Sequence, residues 1–323
     1  MGVPPTGMPS SPAPFPAMST AHLRPLSFGE ILDGAFSLYR RHFVTLVSAA
    51  LIPLIPSMLL TGIFTRSAFT AGAADAADAA DAFGAAMIPV MLLGFVAGLV
   101  MWAALTRMVA EAWTGGEVSL GDGYRRGLRA FFPLLGSMIL AYVIIFGVLF
   151  GVIIAGALVG AIFAGIGMGV GSQTLTVVLM VPVLLLVLAA FFAGASTLFA
   201  VLPAIIVEKL GPAEAIMRSV RLSLGALPRV AGVVTVTFII IFLPLFFVMA
   251  VTGGFAAFTN PGAVPSAESF WIQQVANSLT SALTTPFMIA SLVILYFDRR
   301  VRTEAFDVQL AADALAADTV AAG

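Results

Sequence analysis

Few side chains in this sequence could carry out catalysis. There is no cysteine, and the only histidines are His22 and His42. A hydrolytic or metal-dependent site gathers several such groups around one point, and neither histidine has a carboxylate and a nucleophile at a spacing that would achieve this. We therefore predict no catalytic residue, no metal site and no cofactor, and we predict that the protein is not an enzyme.

A run of aspartates supplies oxygen ligands of the kind that calcium binds. Asp75, Asp78 and Asp81 recur at every third position of an alanine-rich stretch. A calcium loop needs closer ligands and a glycine that allows a sharp turn, and this run has neither. The run therefore predicts a short solvated helix or loop, not a metal site.

A polar stripe lies near the C-terminal end of the chain at helical spacing. It consists of Gln274, Asn277, Ser278, Ser281 and Thr284. In a membrane helix such side chains face the bundle interior, where they either line a solute path or join helices by hydrogen bonds. We favour helix packing, because the apolar segments contain no buried charge pair of the kind that marks ion coupling.

Basic residues concentrate on three amphipathic segments, which begin at Ser27, Ser119 and Gly211. The same interval separates the first start from the second and the second from the third. Each start also has an acid three residues later, which is the spacing of a helix capping box. These capping pairs are Ser27 with Glu30, Ser119 with Asp122, and Gly211 with Glu214. The segments therefore predict three helices that lie at a membrane surface.

The arginines of these helices are the candidate contacts for lipid headgroups or for acidic partners. They are Arg40, Arg41, Arg125, Arg126, Arg129, Arg218 and Arg221. Three acids, Glu111, Glu208 and Asp298, recur where the chain returns to the same side of the membrane. We predict that these acids pair with the arginines at a screened rim, where a pair contributes about 0–1 kcal/mol. The alternative is that the acids are simply solvated.

The composition is that of a membrane protein. Hydrophobic residues make up 60% of the chain and charged residues only 10%, against about 25% charged residues in soluble proteins. The net charge of −1 argues against nucleic acid as a partner. The bilayer is the partner that this composition indicates.

The apolar runs predict an all-α, polytopic membrane protein with six transmembrane helices. The predicted spans cover residues 43–65, 86–113, two long helices within 134–208, 230–254 and 270–297. With the amphipathic helices they form three tandem units, residues 27–118, 119–210 and 211–302, within a membrane domain over 23–302. Each unit is one interfacial helix followed by a hairpin of two spans. Parallel repeats of this kind are related by an axis along the membrane normal.

The basic residues also predict the orientation of the chain. In the six-span arrangement only Arg66 falls on the side opposite to the other arginines and the lysine. Because cytoplasmic loops carry the excess of basic residues, both termini are predicted to be cytoplasmic in an inner or plasma membrane. Residues 1–22 predict a disordered, proline-rich arm, and residues 303–323 a cytoplasmic tail.

Three blocks of sequence carry a family resemblance: LRPLSFGEILDGAFSLYRRHF, LPAIIVEKLGPAEAIMRSVRLSLG and LYFDRRVRTEAFDVQL. They resemble the bacterial membrane domain that is fused to glycerophosphoryl diester phosphodiesterases, and its stand-alone relatives. The resemblance implies a six-span type of membrane module. It implies no catalytic residue, because the phosphodiesterase domain that performs the chemistry is absent from this sequence.

Two classes of function fit these features. The first is a membrane-accessory or lipid-interacting scaffold that binds anionic phospholipids through its interfacial helices. The alternative is a small-solute transporter or channel, with a polar path along the sixth span. A third and weaker hypothesis is a role in a lipid or glycerophosphodiester metabolic system. A protein partner and a homo-oligomer both stay open.

Overall fold

The computed structural model describes residues 24–70, 76–169, 173–255 and 266–305. Within these ranges the chain forms ten α-helices and no strand, so the all-α fold class is confirmed. They are α1 (Phe28–Arg41), α2 (Phe43–Thr70), α3 (Ala76–Trp113), α4 (Leu120–Arg129), α5 (Phe131–Gly169), α6 (Gln173–Thr197), α7 (Val201–Glu208), α8 (Pro212–Leu224), α9 (Leu227–Val251) and α10 (Ala267–Glu304). The predicted N-terminal arm and residues 306–323 of the predicted tail lie outside the described residues.

Five helices are long and apolar enough to cross a membrane. Their spanning segments are Phe43–Thr65 in α2, Asp81–Trp113 in α3, Phe131–Phe163 in α5, and the whole of α9 and α10. Each exceeds or approaches the roughly 20 residues that cross a bilayer core. Helix α6 contains a shorter apolar stretch, Val181–Gly194. The chain is therefore a multi-span helical membrane protein, and a sixth crossing by α6 stays a prediction.

Helix α10 is the centre of the fold. Of its apolar segment 56% is buried inside the protein, against 6% for α5. Helices α1, α2, α3 and α9 all pack against α10, and Tyr296 and Leu295 on its C-terminal half are fully buried. Helix α5 instead exposes large apolar side chains such as Phe146 and Phe150. Such a surface suits lipid chains, because an apolar face of this extent is unfavourable in water.

Two of the three amphipathic helices begin as their sequences predict. At α1 the Ser27 hydroxyl accepts a hydrogen bond from the Glu30 N–H at 3.3 Å, and the Glu30 carboxylate accepts one from the Ser27 N–H at 2.6 Å. This capping box is therefore confirmed. At α8 the Glu214 carboxylate accepts from the Gly211 N–H at 3.2 Å. In both helices the acid satisfies a backbone donor that has no partner within the helix.

The start of α4 differs from its prediction. Ser119 makes no side-chain capping hydrogen bond, so the capping box predicted for Ser119 and Asp122 is wrong. The Asp122 carboxylate instead lies 3.6 Å from the guanidinium of Arg126, one turn further along the helix. Aspartate is one methylene shorter than the glutamate that usually closes the box, and here it turns towards a charged partner.

The second apolar helix begins earlier than predicted. Asp78 and Asp81 are part of the continuous helix α3, so the separate short helix or loop predicted for them is wrong; Asp75 lies outside the described residues. The alanines around these aspartates are the strongest helix formers, and the run contains no proline. The helix that crosses the membrane therefore extends beyond the apolar residues themselves.

The predicted long helix that ends near residue 208 is interrupted. Helix α6 ends at Thr197, and the short helix α7 begins at Val201. The Ser219 hydroxyl of α8 forms hydrogen bonds with the backbone polar groups at this interruption. It accepts a hydrogen bond from the Ala200 N–H at 2.9 Å and donates one to the Thr197 carbonyl at 2.7 Å. Pro203 lies in the first turn of α7, where its missing N–H costs no hydrogen bond. A side chain distant in sequence thus stabilises the break.

Candidate functional site

A cavity of about 550 Å³ lies between α3, α4, the start of α5 and the end of α7. The side formed by α3 and α4 is strongly cationic, with Arg107, Arg125, Arg126 and Arg129, and Lys209 adds a fifth basic residue from the end of α7. The only acid in the lining is Asp122. The other side is apolar, with Pro133, Ile205, Ile206 and Leu210. The volume is within the range of small-molecule sites in proteins, roughly 300–1,000 Å³.

Glycines on α4 set its distance from α3. A methyl group added at Gly127 would lie 2.9 Å from the backbone nitrogen of Ala104, and one added at Gly123 would lie 2.6 Å from the Met108 side chain. Gly123 and Gly127 are both buried. Because this face of α4 is pressed onto α3, the arginines on its other faces are directed away from the protein core.

A tyrosine hydroxyl also holds α4 in place. Tyr124 donates a hydrogen bond to the backbone carbonyl of Ala49 in α2. Burial raises the pKa of Tyr124 to about 12, so the hydroxyl stays a donor across the physiological range. Helix α4 is therefore attached to α3 through the glycine contacts and to α2 through this hydrogen bond.

Acidic neighbours neutralise only part of the charge around the cavity. Arg107 pairs with Glu111 at 2.7 Å, and Arg126 lies 3.7 Å from Glu111 and 3.6 Å from Asp122. Arg125 and Arg129, in contrast, form no ion pair with any described residue, and both are exposed. The cavity therefore keeps an excess of positive charge after its internal pairs are formed.

The ion pair of Arg107 and Glu111 beside the cavity contains two buried polar atoms that lack a hydrogen-bond partner among the described residues. These atoms are Nε of Arg107 and Oε2 of Glu111. Buried polar atoms in folded proteins nearly always have partners, supplied by the protein, by water or by a ligand. The pair thus retains hydrogen-bonding capacity next to the cationic side of the cavity.

Lys209 reaches the cavity from the opposite element, at the end of α7. It has a left-handed backbone conformation with φ 57°, which a non-glycine residue adopts at a cost. The preceding residue, Glu208, is held by Arg218 of α8 at 2.9 Å and by the Tyr296 hydroxyl of α10. These contacts fix the backbone immediately before Lys209 and so determine the position from which the lysine side chain extends.

Glu208 belongs to a network of ion pairs at the end of α10. Arg218 also binds Glu304, and this hydrogen bond raises the pKa of Arg218 above its usual value. Arg300 lies 3.6 Å from Glu208 and 3.2 Å from Glu304. The last turn of α10 is in this way tied to both α7 and α8.

The three acids predicted to pair at a screened rim are more buried than expected. Glu111 and Glu208 do lie beside arginines of the helices that were predicted to be interfacial, namely Arg126 of α4 and Arg218 of α8. Their side chains are 17% and 18% exposed, and that of Asp298 is 0% exposed. Burial makes the loss of one partner more harmful, because the other charge is left buried without a partner, so the estimate for a screened surface pair does not apply to these acids.

Asp298 also has partners other than those predicted. It pairs with Arg302 on its own helix at 3.0 Å and with Arg229 at the start of α9 at 3.3 Å, not with an arginine of an interfacial helix. Its third partner is the backbone N–H of Leu26, at 2.8 Å. Of the remaining predicted arginines, Arg40, Arg41 and Arg221 are exposed and form no ion pair within the described ranges.

The polar stripe of the predicted sixth span lies on α10. Thr284 donates to the Thr280 carbonyl at 2.8 Å, and the hydroxyls of Ser281 and Thr285 are 3.3 Å apart. Gln274, Asn277 and Ser278 are half-buried. The Oδ1 atom of Asn277 is buried without a hydrogen-bond partner in the described part of the chain. Most of the hydroxyls in the stripe are therefore satisfied within their own helix.

The histidines do not form a site in the part of the chain that is described. His42 lies at the junction of α1 and α2, where burial and the neighbouring Arg41 lower its pKa, and His22 is outside the described residues. Among the described residues, no three His, Cys, Asp or Glu side chains are grouped so that they could hold a metal ion.

Sequence reasoning missed Arg107 and Lys209 as members of the cationic cavity. The sequence predicts that Arg107 can pair with Glu111 four residues later, which the structure confirms, and it shows Lys209 only as a basic residue on the predicted cytoplasmic side. The two residues are separated along the chain by about a third of its length. Spacing within a helix cannot show that the ends of α3 and α7 meet beside α4. A charged residue directly after an apolar helix, as Lys209 is, was the one local signal.

Comparison with known proteins identifies a family but no activity. No curated protein and no solved structure matches the chain. The model of a domain of unknown function, DUF7847, matches residues 29–299 and therefore includes all three amphipathic helices and nearly all of α10. Because this match covers most of the sequence, the chain belongs to the DUF7847 family of domains of unknown function.

Proposed function

We propose that the protein is a membrane-accessory protein that binds anionic phospholipids. The cavity between α3, α4 and α7 supports this proposal, because it combines five basic residues with an apolar side. A phospholipid has the same two parts, a charged headgroup and an apolar remainder. Basic residues near the headgroups contribute about 1 kcal/mol each to the attraction of anionic lipid.

The position of the cavity fits a ligand that comes from the bilayer. Pro133 in its lining belongs to the first turn of α5, whose apolar segment Phe131–Phe163 is long enough to cross a membrane. The cavity therefore lies at the end of a helix that could span the membrane, where we expect lipid headgroups. An apolar wall also lowers the local dielectric constant and strengthens the attraction between arginine and an anion.

The proposal includes an orientation. The basic residues of α4, α8 and the end of α10 are on the side of the spans where the chain also carries Arg40 and Arg41. The excess of arginine and lysine on that side supports a cytoplasmic location for it and for both termini. Anionic lipids of the cytoplasmic leaflet would then be the ones within reach of the cavity.

Lipid retention by the purified protein tests this function. The protein is held in neutral-detergent micelles that contain either phosphatidylglycerol or phosphatidylcholine at the same mole fraction, and bound lipid is counted by native mass spectrometry. We expect phosphatidylglycerol to be retained in preference. Equal retention of the two lipids would overturn the proposal.

A pair of variants separates the cavity from general surface charge. Arg125→Gln with Arg129→Gln removes two unpaired cavity arginines, whereas Arg40→Gln with Arg221→Gln removes two exposed arginines elsewhere. We expect only the first pair to lose its preference for phosphatidylglycerol. Equal losses in both double variants would show that surface charge, and not the cavity, attracts the lipid.

A further inference from the structure

We infer that the cavity selects a phosphomonoester headgroup, the headgroup of a phosphatidate-type lipid, over the phosphodiester headgroups of other anionic lipids. This inference rests on the proposed function, because it names which anionic lipid the same cavity binds. Three observations carry it: the charge left after the internal ion pairs, the convergence of cations from two elements, and the apolar side of the cavity.

The first observation concerns charge. Arg107 and Arg126 are engaged by the carboxylates of Glu111 and Asp122. The other three cations of the lining, Arg125, Arg129 and Lys209, have no carboxylate within ion-pair distance among the described residues. Two acids and five bases thus leave the site with an excess of three positive charges.

A phosphomonoester matches this excess better than a phosphodiester does. It carries about −1.5 to −2 charges at pH 7, with a second pKa of about 6, and it offers three terminal oxygens. A diester carries one negative charge and offers two free oxygens. Three unpaired cations facing one headgroup favour the ligand with more charge, and they also favour release of its second proton.

The second observation concerns geometry. Arg125 and Arg129 are one turn apart on α4, while Lys209 enters from the end of α7 on the other side of the cavity. One guanidinium group can donate two parallel hydrogen bonds to the oxygens of a phosphate, whereas a lysine ammonium acts as a point charge. Cations that approach from two elements can contact different oxygens of one phosphate, which a single row of surface arginines cannot do.

The third observation distinguishes a lipid from a free phosphate compound. Pro133, Ile205 and Leu210 border the cavity, and its volume of about 550 Å³ greatly exceeds what a phosphate group alone would occupy. These apolar residues suit the glycerol backbone and the first methylenes of acyl chains. A water-soluble phosphomonoester would leave this side of the cavity unfilled, so the lipid is the better-fitting source.

Separate titrations with four ligands test the inference. Protein in neutral-detergent micelles is titrated with phosphatidate, phosphatidylglycerol, phosphatidylcholine or glycerol 3-phosphate, and bound ligand is counted by native mass spectrometry at pH 7.5. We expect phosphatidate to bind about tenfold tighter than phosphatidylglycerol, since the added negative charge is attracted by three unpaired cations. We also expect glycerol 3-phosphate to bind more weakly than phosphatidate.

Each outcome decides one part of the account. Equal binding of phosphatidate and phosphatidylglycerol, both above phosphatidylcholine, overturns the inference and leaves the proposed function standing. No preference for either anionic lipid overturns both. Glycerol 3-phosphate that binds as tightly as phosphatidate overturns the assignment of the ligand to a lipid.

Variants and pH supply independent checks. We expect Arg129→Gln to reduce phosphatidate binding towards the level of phosphatidylglycerol, and Arg24→Gln, an exposed control that does not line the cavity, to leave it unchanged. Lowering the pH from 7.5 to 5.5 protonates the phosphomonoester, so phosphatidate should lose affinity while phosphatidylglycerol does not. A phosphatidate affinity that is insensitive to both changes contradicts the inference.

Discussion

The Asp298 carboxylate near the end of α10 accepts a hydrogen bond of 2.8 Å from the backbone N–H of Leu26, just before α1. The same carboxylate pairs with Arg229 and Arg302, and both arginines donate to the carbonyl of Leu26. One buried acid and two arginines thus bind both polar groups of a single backbone residue. This cluster attaches the first described residues to the central helix.

Replacing Asp298 tests the energetic weight of this cluster. We expect Asp298→Ala to lower the free energy of unfolding by about 3 kcal/mol, because it leaves two arginines and a backbone N–H without their buried partner. Asp298→Asn should be less harmful, since its amide oxygen still accepts from Leu26. Unfolding by sodium dodecyl sulfate in mixed micelles measures both effects.

An exposed acid provides the control for Asp298. Glu117 is exposed in the segment between α3 and α4, so Glu117→Gln should leave the unfolding curve unchanged. An Asp298→Ala protein as stable as the wild type would show that the cluster contributes no more than a solvated surface pair.

The fate of Asp298 shows what could be predicted from sequence. Arginine partners for Asp298 were predicted, since basic residues accumulate on the same side of the spans, but its burial was not. The backbone of Leu26, which binds the Asp298 carboxylate, is 272 positions away in the sequence, and no local pattern reports such a contact. The helices themselves were predictable, because hydropathy and capping act over a few residues.

The same reasoning explains the errors in helix boundaries. The break between α6 and α7 depends on Ser219, which comes from the next amphipathic helix and binds the exposed backbone of Thr197 and Ala200. The cationic cavity likewise requires the ends of α3 and α7 to meet beside α4. Composition predicted that arginines would be at the membrane surface, but only tertiary contacts bring Arg107 and Lys209 into one site.

The contact between α4 and α3 predicts the effect of adding a methyl group. Gly127→Ala would place a Cβ atom 2.9 Å from the backbone nitrogen of Ala104, which cannot move aside as a side chain can. We expect a loss of about 1–3 kcal/mol in the free energy of unfolding. We also expect weaker binding of anionic lipid, since α4 carries three of the cavity arginines.

Gly121 is the matched control on the same helix. Its added methyl group would meet nothing closer than the Ser119 hydroxyl at 4.0 Å. Because alanine is a better helix former than glycine, Gly121→Ala should be neutral or stabilising by about 0.5–1 kcal/mol. If both alanine variants behaved alike, the close approach of α4 to α3 would not be the cause.

The capping box of α1 predicts a dependence of stability on pH. Hydrogen bonds from the Ser27 N–H and from Arg24 lower the pKa of Glu30 from 4.5 to about 2. The charged form therefore contributes stability that is fully present above about pH 4.5 and is lost as the pH falls towards 2. The Glu30→Gln variant keeps an acceptor at this position but does not titrate.

Comparison of the two proteins isolates this one carboxylate. We expect the wild type to exceed Glu30→Gln in thermal midpoint at pH 6, and the difference to shrink between pH 4.5 and pH 3. Other acids titrate in both proteins, so their contributions cancel in the difference. A difference that stays constant from pH 6 to pH 3 would mean that the Glu30 charge plays no part in holding the start of α1.

The polar stripe of α10 predicts opposite results for packing and for transport. The Thr280 and Thr284 hydroxyls donate to carbonyls four residues earlier, so they need no solute or water as a partner. Asn277 differs, because its Oδ1 atom is buried without a hydrogen-bond partner in the described ranges. A buried polar atom of this kind destabilises the fold by about 1–3 kcal/mol.

On the packing hypothesis we expect Asn277→Leu to keep or raise the free energy of unfolding, and Gln274→Leu to have a smaller effect. Proteoliposomes that contain the wild type or the double variant should show the same background flux of small solutes. On the transport hypothesis the wild type would instead carry a solute that the double variant does not. Flux that is present in the wild type and lost in a stably folded double variant would therefore identify the stripe as a path through the membrane.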